Sequence, residues 1–116
     1  MSTLCSDMKV YVSHNSEIDS ISVQILKDLY LKKTKLLNNK PVVVYDNEDE
    51  KSEFYLKIIN KTDGQLHAYW MKQIFSGKNV PPKKIIPSEI ISTLKNNPSA
   101  IVYSEIDLDA KVIYEY

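Results

Sequence analysis

Residues 68–78 read Ala-Tyr-Trp-Met-Lys-Gln-Ile-Phe-Ser-Gly-Lys, and Pro81 and Pro82 follow after Asn79 and Val80. With Leu66 just upstream, Tyr69, Trp70, Ile74 and Phe75 recur at helical spacing and predict one apolar helix face. Gly77 is placed to stop that helix, and the two prolines force an extended connection beyond it. On the N-terminal side, Thr62, Asp63 and Gly64 break an earlier helix whose core face is Phe54, Leu56, Ile58 and Ile59. On the C-terminal side, Ser88 is placed to cap a short helix that turns Ile90, Ile91 and Leu94 inward and ends at Asn96, Asn97 and Pro98.

The strands lie further out. Residues 100–103, Ala-Ile-Val-Tyr, read as a buried strand, and residues 111–116 alternate well enough for a last one. Residues 9–13, Lys-Val-Tyr-Val-Ser, form a β-branched and aromatic run that ends at His14, Asn15 and Ser16. Ile18, Ile21, Ile25, Leu26, Leu29 and Tyr30 then predict an amphipathic helix, with Ser22 capping its first turn and Lys32, Lys33 and Lys35 near its far end. Residues 38–41, Asn-Asn-Lys-Pro, are a turn. The unbroken apolar run 42–45, Val-Val-Val-Tyr, is expected to be a central strand covered on both faces. The order β-α-β-α-α-α-β-β predicts a single α/β domain over residues 9–116, a mixed sheet of about four strands flanked by helices. Residues 1–8 are expected to be a disordered N-terminus.

Composition removes several classes of function. With 43% hydrophobic and 26% charged residues the chain of 116 residues resembles an average globular domain, and it holds no apolar run long enough for a membrane-spanning helix. One cysteine, Cys5, leaves no intramolecular disulfide and no four-cysteine zinc site. Two glycines, Gly64 and Gly77, cannot write a dinucleotide fingerprint or a Walker phosphate loop. Fifteen basic residues balance fifteen acidic ones, and every base is lysine. Without guanidinium there is no bidentate clamp for phosphate or carboxylate, so an oxyanion site must use amides, hydroxyls and lysine. Zero net charge also removes the main electrostatic term for nucleic acid. No cofactor is implied. Residues 1–7 carry no lysine and no apolar stretch of signal-peptide length, so the chain is expected to be cytoplasmic, or periplasmic if a signal peptide has been removed.

Three segments together resemble the small single-domain relatives of the phosphate ABC transporter substrate-binding protein, in the type 2 periplasmic-binding-protein-like superfamily. The first is residues 18–22, Ile-Asp-Ser-Ile-Ser, with the helix reaching Leu29, Tyr30, Leu31 and Lys32. The second and most specific is residues 68–78 with the Pro81-Pro82 pair, similar to the family's Tyr-Trp, Phe-x-Gly and Pro-Pro signature. The third is residues 97–103, Asn-Pro-Ser-Ala-Ile-Val-Tyr, similar to its Asn-Pro-Gly-Ala-Ile-Gly-Tyr strand. The resemblance implies a periplasmic-binding-protein-like fold and a non-enzymatic solute-binding protein for phosphate or another small oxyanion. After strand two the family carries Asp or Arg, a Gly-Ser pair and a helix with an inward Phe. Asp46 and Phe54 match, whereas the Gly-Ser pair is missing and the loop is shorter. Lysine stands for the family's glycine at Lys32, serine at Ser99 and valine at Val102.

The ligand contacts expected on this basis are Ser13, Asn15, Ser22, Asp46 and Ser52, at the carboxyl ends of strands one and two and the N-termini of the helices that follow. Residues 46–53 oppose that reading, since Asp46, Glu48, Asp49, Glu50 and Glu53 outweigh Lys51 and make a field that repels phosphate. Lys51, at the position where a calcium loop needs glycine, disfavours a calcium site. His14 has no apparent catalytic partner, so no enzyme is expected. Tyr69, Trp70 and Phe75 are expected in the core rather than as a ligand platform. Lys32, Lys33, Lys35 and Lys40 either face an acidic partner or form a solvated surface. The alternative function is an interaction, sensor or accessory module for an envelope partner that keeps the fold and has lost the solute. An apolar patch near Tyr114 and Tyr116 would favour it.

Overall fold

The β-branched run at Lys9–Val12 forms the first strand, β1, in the computed structural model, which describes residues 8–116. The expectations for residues 1–7, Cys5 included, lie outside the described residues. Met8 is fully buried. Helix α1, Val23–Tyr30, starts where Ser22 accepts from the Ile25 amide at 3.2 Å, the N-cap expected of it. Ile18 and Ile21 precede the helix. The Ile21 amide is bonded to the Ile113 carbonyl, which holds that segment extended. Lys32 follows the end of the helix at φ 62°, the left-handed conformation that glycine adopts most readily.

Leu36–Leu37 (β2) and Lys40–Pro41 (β3) make a hairpin across Asn38 and Asn39, whose φ values of 52° and 66° suit the inverse turn that matches strand twist. Strand β4, Val43–Asn47, runs two residues past the apolar stretch. A turn of 3-10 helix, Glu48–Glu50, leads to α2, Lys51–Phe54, which widens into a π-helical turn at Tyr55–Ile59. The wider turn shifts the face: Tyr55, Ile58 and Ile59 are buried, and Leu56, expected in the core, is exposed.

Helix α3, Asp63–Phe75, opens with a capping box between Thr62 and Gln65. It buries Leu66 and Trp70 only. Ile74 and Phe75, expected on its core face, are 49% and 81% exposed, because the last turn runs past the elements that cover the first two. The proline segment enters a short strand, β5, Lys83–Ile85. Helix α4, Ile90–Asn96, follows a 3-10 turn, and Ser88 does not cap it: the Glu89 carboxylate accepts from the Ile86 amide instead, at 3.3 Å. Strands β6, Ala100–Ser104, and β7, Lys111–Glu115, complete the chain. Ser22→Ala and Thr62→Ala should each lower stability by about 1 kcal/mol, while Ser88→Ala should change it by less than about 0.5 kcal/mol. Urea denaturation of the three variants checks this.

The sheet has five strands in the order β5-β4-β6-β1-β7, one more than expected. Strand β4 pairs parallel with β5 and β6, whereas β1 pairs antiparallel with both β6 and β7, so β1 alone runs against the others. Strand β6 is buried along its whole length, as a central strand between two covered faces must be. On one face, Val10, Val12, Ile101, Tyr103 and Ile113 pack with α1, the α2 segment and α3. On the other, Tyr11, Ala100 and Val102 pack with Ile90 and Leu94 of α4.

Candidate functional site

The reversed direction of β1 decides which site residues can meet. Its carboxyl end lies beside the amino ends of β4 and β6, while the carboxyl ends of β4 and β6 lie at the opposite edge of the sheet. Ser13 and Asn15 are therefore at one end and Asp46 and Ser52 at the other, which corrects the single site expected from strands one and two. Ser22 joins neither pair, its hydroxyl capping α1.

At the carboxyl ends of β4 and β6, alternation along β4 turns Asp46 into the core, where it is 1% exposed. One carboxylate oxygen, Oδ1, accepts from the hydroxyls of Tyr55 and Tyr103, each at 2.9 Å, and Oδ2 has no partner among the described residues. Burial raises the Asp46 pKa from 3.8 to about 6, against the two tyrosine hydrogen bonds, which favour the charged form. Burial also holds both phenols well above their ordinary range. Phe54 stacks on Tyr103 with ring centroids 3.6 Å apart and closes the cage from α2. Asn47, fully buried, donates to the Tyr103 carbonyl and caps the acidic turn by accepting from the Asp49 amide.

The outer shell of this end is also made of carboxylates. Glu50 accepts from the Glu105 amide at 2.6 Å and from the Ser104 hydroxyl at 3.4 Å, bridging the loops that follow β4 and β6. Burial raises its pKa. The Ser52 hydroxyl donates to the carboxylate of Asp63, 2.9 Å from both oxygens. Backbone amides and hydroxyls at the end of parallel strands are the groups that hold a bound oxyanion. Here the chain's own acids Asp46, Glu50 and Asp63 occupy them.

At the other end, Ser13 accepts from the Asn15 amide and Ser16 from the Ile18 amide, both as turn acceptors. Asn15 is exposed and lines a cleft of about 420 Å³ together with Glu17, Lys40 and Ser99. Lys40 and Glu17 form an ion pair across it. His14, for which the sequence suggested no partner, lies 3.0 Å from Asp109, and both side chains are largely exposed. Among the described residues, no group of three His, Cys, Asp or Glu side chains is placed to hold a metal ion, and no helix is long and apolar enough to cross a membrane.

The residues that sequence reading missed are Glu50, Tyr55, Asp63 and Tyr103. Their signal was faint. A hydroxyl-bearing aromatic inside an apolar run, as in Tyr55 and Tyr103, calls for a buried acceptor, and Asp46 stands directly after the apolar run Val-Val-Val-Tyr.

No family model matches the chain, and neither does any curated protein. Among solved structures, it is similar to a Clostridium perfringens protein described as a phosphate ABC transporter substrate-binding protein with bound phosphate. The TM-score is 0.65 and the identity 19%, over 92% of this chain and 43% of that one. An ABC-type phosphate transport receptor from Vibrio cholerae is also similar, with TM-score 0.54 and 11% identity over 92% of this chain and 45% of that one. At these identities the likeness is one of fold. The chain has the α/β fold of the phosphate ABC transporter substrate-binding proteins and spans less than half of their length.

Proposed function

We propose that this is a non-enzymatic module of the substrate-binding-protein fold that no longer holds an oxyanion at the ends of its strands and acts as an interaction or accessory module for an envelope partner. An exported form would work in the periplasm. One observation carries the reading: near the carboxyl ends of β4 and β6 the hydroxyls of Tyr55, Tyr103 and Ser52 and the Glu105 amide donate to Asp46, Asp63 and Glu50, carboxylates of the chain itself. An incoming phosphate would have to displace a carboxylate from each donor and approach three negative charges without a guanidinium to offset them. The chain spans less than half of the phosphate-binding neighbour, whose solute is reported bound in the longer chain. Enclosure of a solute between two lobes needs a second lobe.

The rival is an oxyanion-binding protein using Ser13, Asn15, Ser22, Asp46 and Ser52 as first expected. A thermal-shift panel of phosphate, sulfate, molybdate, nucleotides, amino acids and calcium separates the two. A ligand present at one hundred times its Kd adds about 2.7 kcal/mol, a rise of several degrees in a chain of this size. No anion is expected to move the midpoint. A shift by one anion that disappears in Ser52→Ala would restore the oxyanion reading.

A further inference from the structure

The last turn of α3 presents an apolar cluster that the fold does not cover. Phe75 is 81% exposed, Val80 67% and Ile74 49%, and Met71 lies one turn back on the same side. Near the C-terminus, where an apolar patch would have favoured an interaction module, Tyr114 packs against the core and Tyr116 is exposed. Three shallow hollows border the cluster. One is lined by Lys32, Lys35 and Lys78 beside Ile74 and Val80, and another by Lys61 and Lys72 beside Met71 and Phe75, neither with a carboxylate. The third, toward the start of α3, mixes Glu48 and Asp63 with Lys51 and Lys84 beside Met71 and Ile74. None of the five lysines of the first two hollows forms an ion pair among the described residues. Eight of the fifteen acidic residues lie at residues 46–53 and 105–109.

The surface is also held in shape. The Tyr69 hydroxyl donates to the Leu31 carbonyl at 2.6 Å, and the Asn79 side chain donates to the Lys32 carbonyl at 3.2 Å. The end of α1 and the segment after α3 are thereby fastened together, and Lys32, Lys35 and Lys78 surround the apolar cluster. Partial burial and then the neighbouring Lys35 lower the Lys32 pKa, with Asp46 acting in the opposite direction.

We propose that this face docks on an anionic lipid surface, with Phe75, Ile74 and Val80 entering the headgroup boundary and the lysines meeting the lipid phosphates. Charge and shape together complement an anionic bilayer: exposed apolar side chains stand beside lysines that form no ion pair, and lysine can lie with its stem in apolar surroundings and its ammonium in water. Lysines near such a surface add attraction in proportion to their number. This goes beyond the function proposed above and does not depend on the outcome of the anion panel.

Cosedimentation with extruded vesicles tests it, comparing phosphatidylcholine alone with phosphatidylcholine containing one-third phosphatidylglycerol. The chain should pellet with the anionic vesicles at low salt and be released by high salt. Lys35→Gln with Lys78→Gln should weaken partitioning by roughly thirtyfold, and Phe75→Ser by roughly tenfold. Thermal midpoints should be unchanged, because these side chains are exposed and make no ion pair. Absence of binding to both vesicles overturns the proposal and returns the face to an acidic protein partner. Equal, salt-independent binding to both, or binding unchanged by the substitutions, overturns it as well.

Discussion

Asp46→Asn is expected to stabilise the protein at neutral pH and to remove a pH dependence that the wild type shows between about pH 4 and pH 6. The Asp46 pKa is raised from 3.8 to about 6 by burial. Below pH 4 the group is protonated in both the folded and the unfolded chain and contributes no difference. As pH rises, the unfolded chain releases its proton first while the folded chain keeps it, so stability falls until the folded group ionises. Above pH 6 the difference is constant, at roughly 3 kcal/mol for about 1.4 kcal/mol per pKa unit. Asparagine can accept from Tyr55 and Tyr103 as the acid does, and its amide nitrogen replaces an oxygen, Oδ2, that has no partner among the described residues. The variant should therefore match the wild type near pH 4 and exceed it by roughly 3 kcal/mol at pH 7. Urea denaturation of both proteins over this range gives the comparison. Parallel pH curves would mean that Asp46 is ionised in contact with solvent, and the closed cage would be wrong.

The two phenylalanines should behave in opposite ways. Phe54 is fully buried, stacked on Tyr103 and 4.8 Å from the ring of Tyr30, at the point where α2 meets the sheet. Its truncation to alanine removes a large buried ring and leaves a cavity beneath the Asp46 cage, at a cost of about 3–5 kcal/mol. That corresponds to a fall in Tm of more than about ten degrees. Phe75→Ala should change stability by less than about 0.5 kcal/mol, its ring being mostly in solvent. Equal losses from the two would show that the end of α3 is covered and would remove the exposed apolar face.

Local patterns carried most of the fold into the sequence. The Ser22 cap, the stop at Gly77, the buried strand at Ala100–Ser104 and the final strand were all legible because short-range chemistry determines them. Strand β5 was not, since Lys-Lys-Ile at a sheet edge shows neither alternation nor an apolar run, and its partner β4 is distant in sequence. The hairpin of β2 and β3 was read only as its turn, because strands of two residues leave no periodic signal. Helical spacing also placed Ile74 and Phe75 in the core. Spacing defines a face, but what lies opposite that face is a tertiary fact.

The candidate site was harder to read for a different reason. Strand direction is not written in residue types, so the sequence could not show that β1 opposes β4 and divides Ser13 and Asn15 from Asp46 and Ser52. The acidity of residues 46–53 was plain in the sequence, and it is the ground on which a phosphate site was disfavoured there. What those acids grip was not legible, because the Glu105 amide and the Tyr103 hydroxyl lie more than fifty residues away along the chain.

The most direct measurement is an amide proton–nitrogen spectrum of the labelled chain titrated with inorganic phosphate in large excess, following Glu105 and residues 47–53. With Glu50 bonded to the Glu105 amide, that resonance should lie downfield, as a short hydrogen bond to a carboxylate requires, and should not move with phosphate. A saturable shift of Glu105 together with the turn at Glu48–Glu50 would show phosphate displacing the carboxylate, and would contradict an oxyanion site closed by the protein's own acids.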